Sequence, residues 1–136
     1  MNADRHRYVR SSWVMTHLVN PVVVRLNGTV VLLVPGRETG RPRAVPLGSP
    51  LEIDGALYLV AGGGETQWVR NLRAAGGGQL RLQGRTRTFR AAELEGDDQR
   101  RVVTAYRATM GRRADAFFRQ LPEPADHPAF RVDWVD

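Results

Sequence analysis

Residues 29–61, TVVLLVPGRETGRPRAVPLGSPLEIDGALYLVA, decide the fold. Thr29–Pro35 is a nearly continuous apolar run rich in β-branched side chains, the pattern of a strand buried on both faces. The turn-rich GRETGRP then hands over to a second strand at about Arg43–Gly48. Asp54–Gly55 is a hairpin signal, and it leads into a strand over Ala56–Ala61. Strands joined by such short connections pair antiparallel.

On the C-terminal side, Thr66 is placed to cap a helix that runs to Ala75 and stops at Gly76. Gln79–Gln83 and Arg85–Glu93 alternate around Gly84, with Leu80, Leu82, Phe89 and Ala91 facing in. Asp97 or Asp98 opens a helix whose Val102, Val103, Tyr106 and Met110 recur at helical spacing. A shorter helix covers Ala114–Leu121, and a last strand puts Phe130, Val132 and Trp134 on one face. On the N-terminal side, Arg7–Val19 reads as a helix. A second short helix follows, with Asn20 as cap, Pro21 in its first position and Gly28 as its stop. About six antiparallel strands, one inserted helix and helices at both ends lack the βαβ alternation. The expected fold is mainly β, a small antiparallel barrel with helical additions, in a single domain over 1–136. Ligand sites of such barrels lie at the mouth or in an outer groove.

Composition narrows the chemistry. With 42% hydrophobic and 25% charged residues the chain is not disordered. It has no cysteine, which excludes disulfide, iron–sulfur and Cys-based zinc sites. His6, His17 and His127 have no metal-binding spacing, so no metal is expected. All 20 basic residues are arginine against 14 acids, so Schiff-base and P-loop lysine chemistry are absent. Residues 1–50 carry seven Arg and two acids, 51–92 six and three, and 93–136 seven and nine. The front two thirds are therefore basic and suited to an anionic ligand. No apolar run approaches the roughly 18 residues of a membrane span. The N-terminal MNADRHRYVRSSW lacks the apolar core of a secretory signal, so the expected location is cytoplasmic.

Three clusters hold the candidate residues. GRETGRPR (36–43) is either a solvated turn or a nest of backbone N–H groups ringed by Arg37, Arg41 and Arg43 that takes a phosphate or carboxylate. AGGGETQWVRNLRAAGGG (61–78) offers glycine backbone and a helix N-terminus to an anion or a flat ring. Its helix puts Trp68, Asn71 and Leu72 on one face; Asn71 there needs hydrogen-bond partners. DHPAF (126–130) reads either as a turn or as a catalytic histidine. No Ser/His/Asp set, carboxylate pair or nucleophile elbow points to hydrolysis.

In order, LLVPGRETGRPRAVPL, DGALYLVAGGG, WVRNLRAAGG and HPAF resemble the deazaflavin-dependent nitroreductase family from about Asn20 to Val132. The resemblance implies a split β-barrel that binds coenzyme F420, with FMN the weaker choice. It places Arg37, Thr39 and Arg43 at the phosphate-binding turn, and Val45, Pro46 and Leu47 on the strand beside the ring. Val60, Ala61, Gly62 and Gly63 run along the ring, and Trp68 and Asn71 lie on the helix that closes the site. The family's lysine between the arginine and the Ser/Thr is here Glu38. Tyr8, Trp13 and Tyr106 are candidates for the acceptor side. The implied activity is hydride transfer from reduced F420 to a small electrophile (a quinone, an activated alkene or a nitro compound) by a monomer or homodimer. The alternatives are a non-catalytic deazaflavin or flavin binder and, from charge alone, a nucleic-acid binder. No interleaving of aromatics with arginines supports the last, so no nucleic-acid partner is expected.

Overall fold

The computed structural model describes residues 23–25, 30–47 and 50–135. Its strands are β1 (Val23–Arg25), β2 (Val30–Pro35), β3 (Pro42–Leu47), β4 (Leu51–Ile53), β5 (Ala56–Val60), β6 (Gly77–Leu82), β7 (Arg85–Glu93) and β8 (Ala129–Trp134). They form one sheet in the order β1-β4-β5-β8-β7-β6-β2-β3, every pair antiparallel, with β1 and β3 at its edges. The sheet curls into a split barrel. Helix α1 (Gln67–Ala75) lies between β5 and β6 in the chain. Helices α2 (Gly96–Met110) and α3 (Arg112–Gln120) and a 3-10 turn (Pro124–Asp126) lie between β7 and β8.

Two expectations need correcting. The short helix expected after Asn20 gives way to a strand at Val23–Arg25, which pairs with Leu51–Ile53; the rest of that expectation lies outside the described residues. The run Val22–Val24 explains the difference: β-branched side chains lose rotamer freedom in a helix but fit a pleated ladder. With β1 and the short β4 counted, the described residues hold eight strands where about six were expected. The strand covered on both faces is β5, not β2. In β2, Val30, Leu32 and Val34 are buried while Val31 and Leu33 are half-buried. The helix expected over Arg7–Val19 lies outside the described residues.

There are two cores, and β5 separates them. Leu57 and Leu59 join Val30, Leu32, Val34, Leu80, Phe89, Phe130 and Val132 inside the barrel. Helix α1 closes that interior with Val69 and Leu72. Tyr58 points the other way, to Leu51, Ile53, Val102, Val103, Tyr106, Ala114 and Phe118 beneath α2 and α3. Trp134 extends the β8 stripe and meets Phe89 edge-on at 6.4 Å.

The second glycine triplet has a steric reason. Gly76 ends α1 in the left-handed region at φ +76. At Gly77 a Cβ would run into the Phe89 carbonyl, and at Gly78 it would lie 2.6 Å from the Leu33 carbonyl oxygen. The chain leaves the helix and enters the ladder between β2 and β7 with no room for side chains. Gly78→Ala should lower stability by about 1–3 kcal/mol, read as a lower urea midpoint with unchanged slope.

The Asp98 carboxyl, in the first turn of α2, is 2% exposed and accepts no hydrogen bond among the described residues. Burial pushes its pKa up to about 6, against the pull of Arg101 and with a push from Asp97. The folded state therefore holds this proton more tightly than the unfolded chain, whose carboxyl titrates near the ordinary 3.8. Stability is lost as pH rises from about 4 through about 6 and stays lost above. Asp98→Asn should thus stabilise the protein near neutral pH by roughly 1–2 kcal/mol. Urea titrations should show that gain vanishing below about pH 4.

Candidate functional site

The turn between β2 and β3 uses most of its own donors. Gly36 N–H donates to Arg41 O and Gly40 N–H to Gly36 O, both at 2.8 Å. Arg41 N–H donates to Thr39 Oγ1 at 3.2 Å. Arg37 N–H donates to Asn71 Oδ1 at 3.1 Å. Only the N–H groups of Glu38 and Thr39 have no acceptor among the described residues. The turn is therefore a small nest, and its capacity for an anion rests on guanidinium groups rather than on a ring of amides.

Asn71 satisfies its buried position through this turn. Its Oδ1 also accepts from Arg37 Nη1 at 2.8 Å, so one amide oxygen on α1 fixes both the backbone and the side chain of Arg37. The Arg43 side chain folds back along the turn, with Nε 3.4 Å from where a Gly36 Cβ would stand. Arg37, Thr39, Arg43, Val45, Trp68 and Asn71 line one cavity of about 340 Å³ together with Glu38, which forms no ion pair among the described residues.

A second cavity of about 340 Å³ adjoins it across Trp68. Pro46 and Leu47 form one wall, and Val60, Ala61, Gly62 and Gly63 form another. A Cβ on Gly62 would lie 2.9 Å from the Phe117 ring, and one on Gly63 would lie 3.2 Å from Thr66 Cγ2. All twelve residues singled out from the sequence thus line one or the other of two neighbouring cavities. Arg73 does not join them. It is held between Glu65 and Glu93, at 2.8 and 2.7 Å, and these carboxylates raise its pKa further.

Sequence reading missed several parts of the second cavity. Phe117 is 43% exposed beside the buried Phe118 and faces the glycine loop; Met110 and Pro50 also line it. Tyr106, one of three candidates for the acceptor side, is present, and burial pushes its phenol up. Tyr8 and Trp13 lie outside the described residues. Thr66 sits at the helix cap, but its hydroxyl makes no capping bond and is buried without a partner among the described residues. No signal in the sequence separates Phe117 from Phe118, since only the packing of α3 exposes one and buries the other. His127, by contrast, lines neither cavity and is wholly buried. Among the described residues no helix is long and apolar enough to cross a membrane.

Comparison with known proteins agrees with this arrangement. The sequence model of the F420H(2)-dependent quinone reductase family matches residues 8–122. A solved F420-H2 dependent reductase (FDR-A) is 23% identical over 77% of this chain and 93% of its own, with a TM-score of 0.53. A FAD-binding protein from Mesorhizobium loti is 18% identical over 86% and 94%, with a TM-score of 0.54. HutZ, the heme storage protein of Vibrio cholerae, is 13% identical over 92% and 89%, with a TM-score of 0.60. At these identities the structures speak for the fold. No curated protein matches the sequence. The family match spans the arginine turn, the glycine loop and all three helices, so the chain belongs to the F420H(2)-dependent quinone reductase family and is an F420-dependent reductase.

Proposed function

We propose that the two cavities together hold F420 and that the protein passes a hydride from its reduced form to a small electrophilic acceptor, such as a quinone, an activated alkene or a nitro compound. One observation carries the reading: a cationic cavity and an apolar, glycine-walled cavity lie side by side across Trp68. F420 is a flat ring joined to a phosphate and a tail of carboxylates, so it needs such a pair. The residues fit the group at three points. Arg43 has no partner among the described residues that would compete with an anion. The Gly62 and Gly63 backbone leaves a strip that a Cβ would fill. The orphaned Thr66 hydroxyl suits the polar edge of a ring.

When bound, reduced F420 supplies the hydride. The chain's own residues do the rest. Arg37 and Arg43 grip the phosphate region, Arg37 in the pose set by Asn71. Val45, Pro46 and Leu47 flank the ring, and Val60–Gly63 let it lie against backbone. Phe117, Tyr106 and Met110 keep water from the acceptor side. Tyr106 stays neutral at physiological pH and so retains a phenolic proton.

The direct test is a fluorescence titration with F420 and, separately, with FMN, followed by turnover of reduced F420 with menadione and no added metal. Preference for F420, weakening as salt rises, and acceptor-dependent oxidation are expected. Micromolar FMN binding without F420 binding would overturn the cofactor assignment, and binding without turnover across quinones, nitroarenes and alkenes would overturn the acceptor class. Arg43→Ala should weaken F420 about ten- to hundred-fold, the loss of one charge-assisted contact. Glu38 lines the same cavity, and Glu38→Lys should tighten binding, most for long-tailed F420 at low salt. Equal affinities of the wild type and Glu38→Lys at low salt, whatever the tail length, would mean that the Glu38 side chain faces away from the ligand.

A further inference from the structure

Three glycines in succession do not hold themselves in place. Gly62–Gly64 have no side chains to pack, and glycine has the most backbone freedom to lose on folding. Yet Gly62, Gly63 and Thr66 wall the ring-side cavity, so their backbone has to be fixed from elsewhere. The loop's own bonds are short-range: Gly64 N–H donates to Ala61 O at 3.1 Å, and Thr66 N–H to Gly64 O at 2.8 Å. The usual tie at such a junction is a side-chain cap on the helix that follows. Here it is missing, since the Thr66 hydroxyl makes no capping bond.

Glu65, between Gly64 and Thr66, supplies a different tie. Its carboxylate accepts from Nη1 and Nη2 of Arg73, the latter at 2.8 Å, and Arg73 stands in the last turn of α1. Nε and Nη2 of the same guanidinium donate at 2.7 Å to the two oxygens of Glu93. Glu93 closes β7, a strand held by β6 on one side and β8 on the other. The guanidinium therefore joins the loop to a fixed post in the sheet. An isolated exposed ion pair contributes little, but a planar group that meets two carboxylates, each through a two-pronged fork, is the arrangement that does contribute. Nη2 is shared between them, so without Arg73 two carboxylates would be left side by side. Arg70 also draws on Glu65 through its charge, but among the described residues it forms no hydrogen bond. Glu65, Arg73 and Glu93 themselves line neither cavity.

We propose that Arg73 is a positioning residue of the reductase: by latching Glu65 to Glu93 it holds the Gly62–Thr66 loop in the shape that walls the ring-side cavity. The latch does the task of the missing cap, which leaves the Thr66 hydroxyl to the cavity. That the loop's shape sets cofactor affinity rests on the function proposed above; the latch itself does not.

The test begins with amide hydrogen exchange on the full chain without cofactor. Exchange at Gly64 and Thr66 should be about five-fold faster in Arg73→Gln and in Glu65→Gln, the equivalent of one well-formed ion pair. Exchange in β5 and β8 should stay at the wild-type rate. Arg73→Lys, which keeps the charge but not the fork, should fall between. Arg70→Gln removes the same charge from the same helix and should match the wild type. In the wild type both loop amides should exchange faster as salt is raised, and in Arg73→Gln they should not respond. Unchanged loop exchange in Arg73→Gln, an equal rise in β5 and β8, or an Arg70→Gln that behaves like Arg73→Gln overturns the latch. So does wild-type loop exchange indifferent to salt, which decides the matter even if no variant folds. Fluorescence titrations with F420 follow: Arg73→Gln should bind about five-fold more weakly, and Arg73→Lys should recover part of the loss. A loosened loop with wild-type affinity overturns the link between latch and cavity. A wild type that binds no F420 refutes the function proposed above, while the exchange rates still decide the latch.

Discussion

Strand β5 has to bury both of its faces, and the rest of the architecture follows from that demand. Leu57 and Leu59 have the barrel interior as their environment, and Tyr58 has the layer under α2 and α3. Two hydrophobic layers therefore meet along one strand, each closed by a different helical unit. Val60 packs on one layer and Ala61 belongs to the other, and there, where β5 ends, the chain emerges at the seam between them. The ring-side cavity is that seam. Its walls come from α1 on one side and from α2 and α3 on the other because those helices were needed to cover the two faces. A strand with one solvated face would have left nothing to build the cavity against.

How much of this the sequence discloses depends on the range of the interactions involved. Elements set by local pattern were legible: the β2–β3 turn, the Asp54–Gly55 hairpin, α1 between Thr66 and Gly76, and the inward stripe of β8. Twelve residues that line the two cavities were legible too, through the resemblance, because they sit in contiguous motifs. What failed was decided by distant partners. Val23–Arg25 has helix punctuation around it, yet β4, more than twenty residues away, gives its valines a ladder. The apolar run of β2 reads as doubly buried because composition does not say whether a helix lies outside it; none among the described residues does. Phe117 and Phe118 are adjacent and identical, and only the packing of α3 decides which of them is core.

The arginine turn shows how a loop with many amides becomes a poor amide receptor. Its N–H groups are spent on Gly36, Thr39, Arg41 and Asn71, which makes the loop rigid, and recognition passes to side chains held by that rigidity. Asn71 is the element that joins the two tasks. A single amide oxygen on a helix sets where a guanidinium on a hairpin stands, across 34 positions of sequence. The same economy recurs at His127, whose ring nitrogens lie 3.1 Å from the Ala61 carbonyl oxygen and 2.7 Å from that of Leu121, so that one ring spans two loops. In both cases the polar residue buried beside the cavity is a tie between elements, and the surfaces that face the cavity are left to backbone, rings and free guanidinium.

The edge strand β3 has a consequence for self-association. Pro42 and Pro46 lack an N–H, so a ladder with β2 is possible only if their backbone faces away from it. Ala44, of the same parity, faces away with them. Along the open edge, then, Ala44 carries the single amide donor among three successive carbonyl positions. Another chain seeking to extend the sheet there would find acceptors without donors, and its own carbonyls would go unmatched. The prolines that flank the arginine end and the ring end of the cavities thus keep the mouth of the barrel from becoming a template for fibrous growth, although among the described residues β3 pairs on one side only.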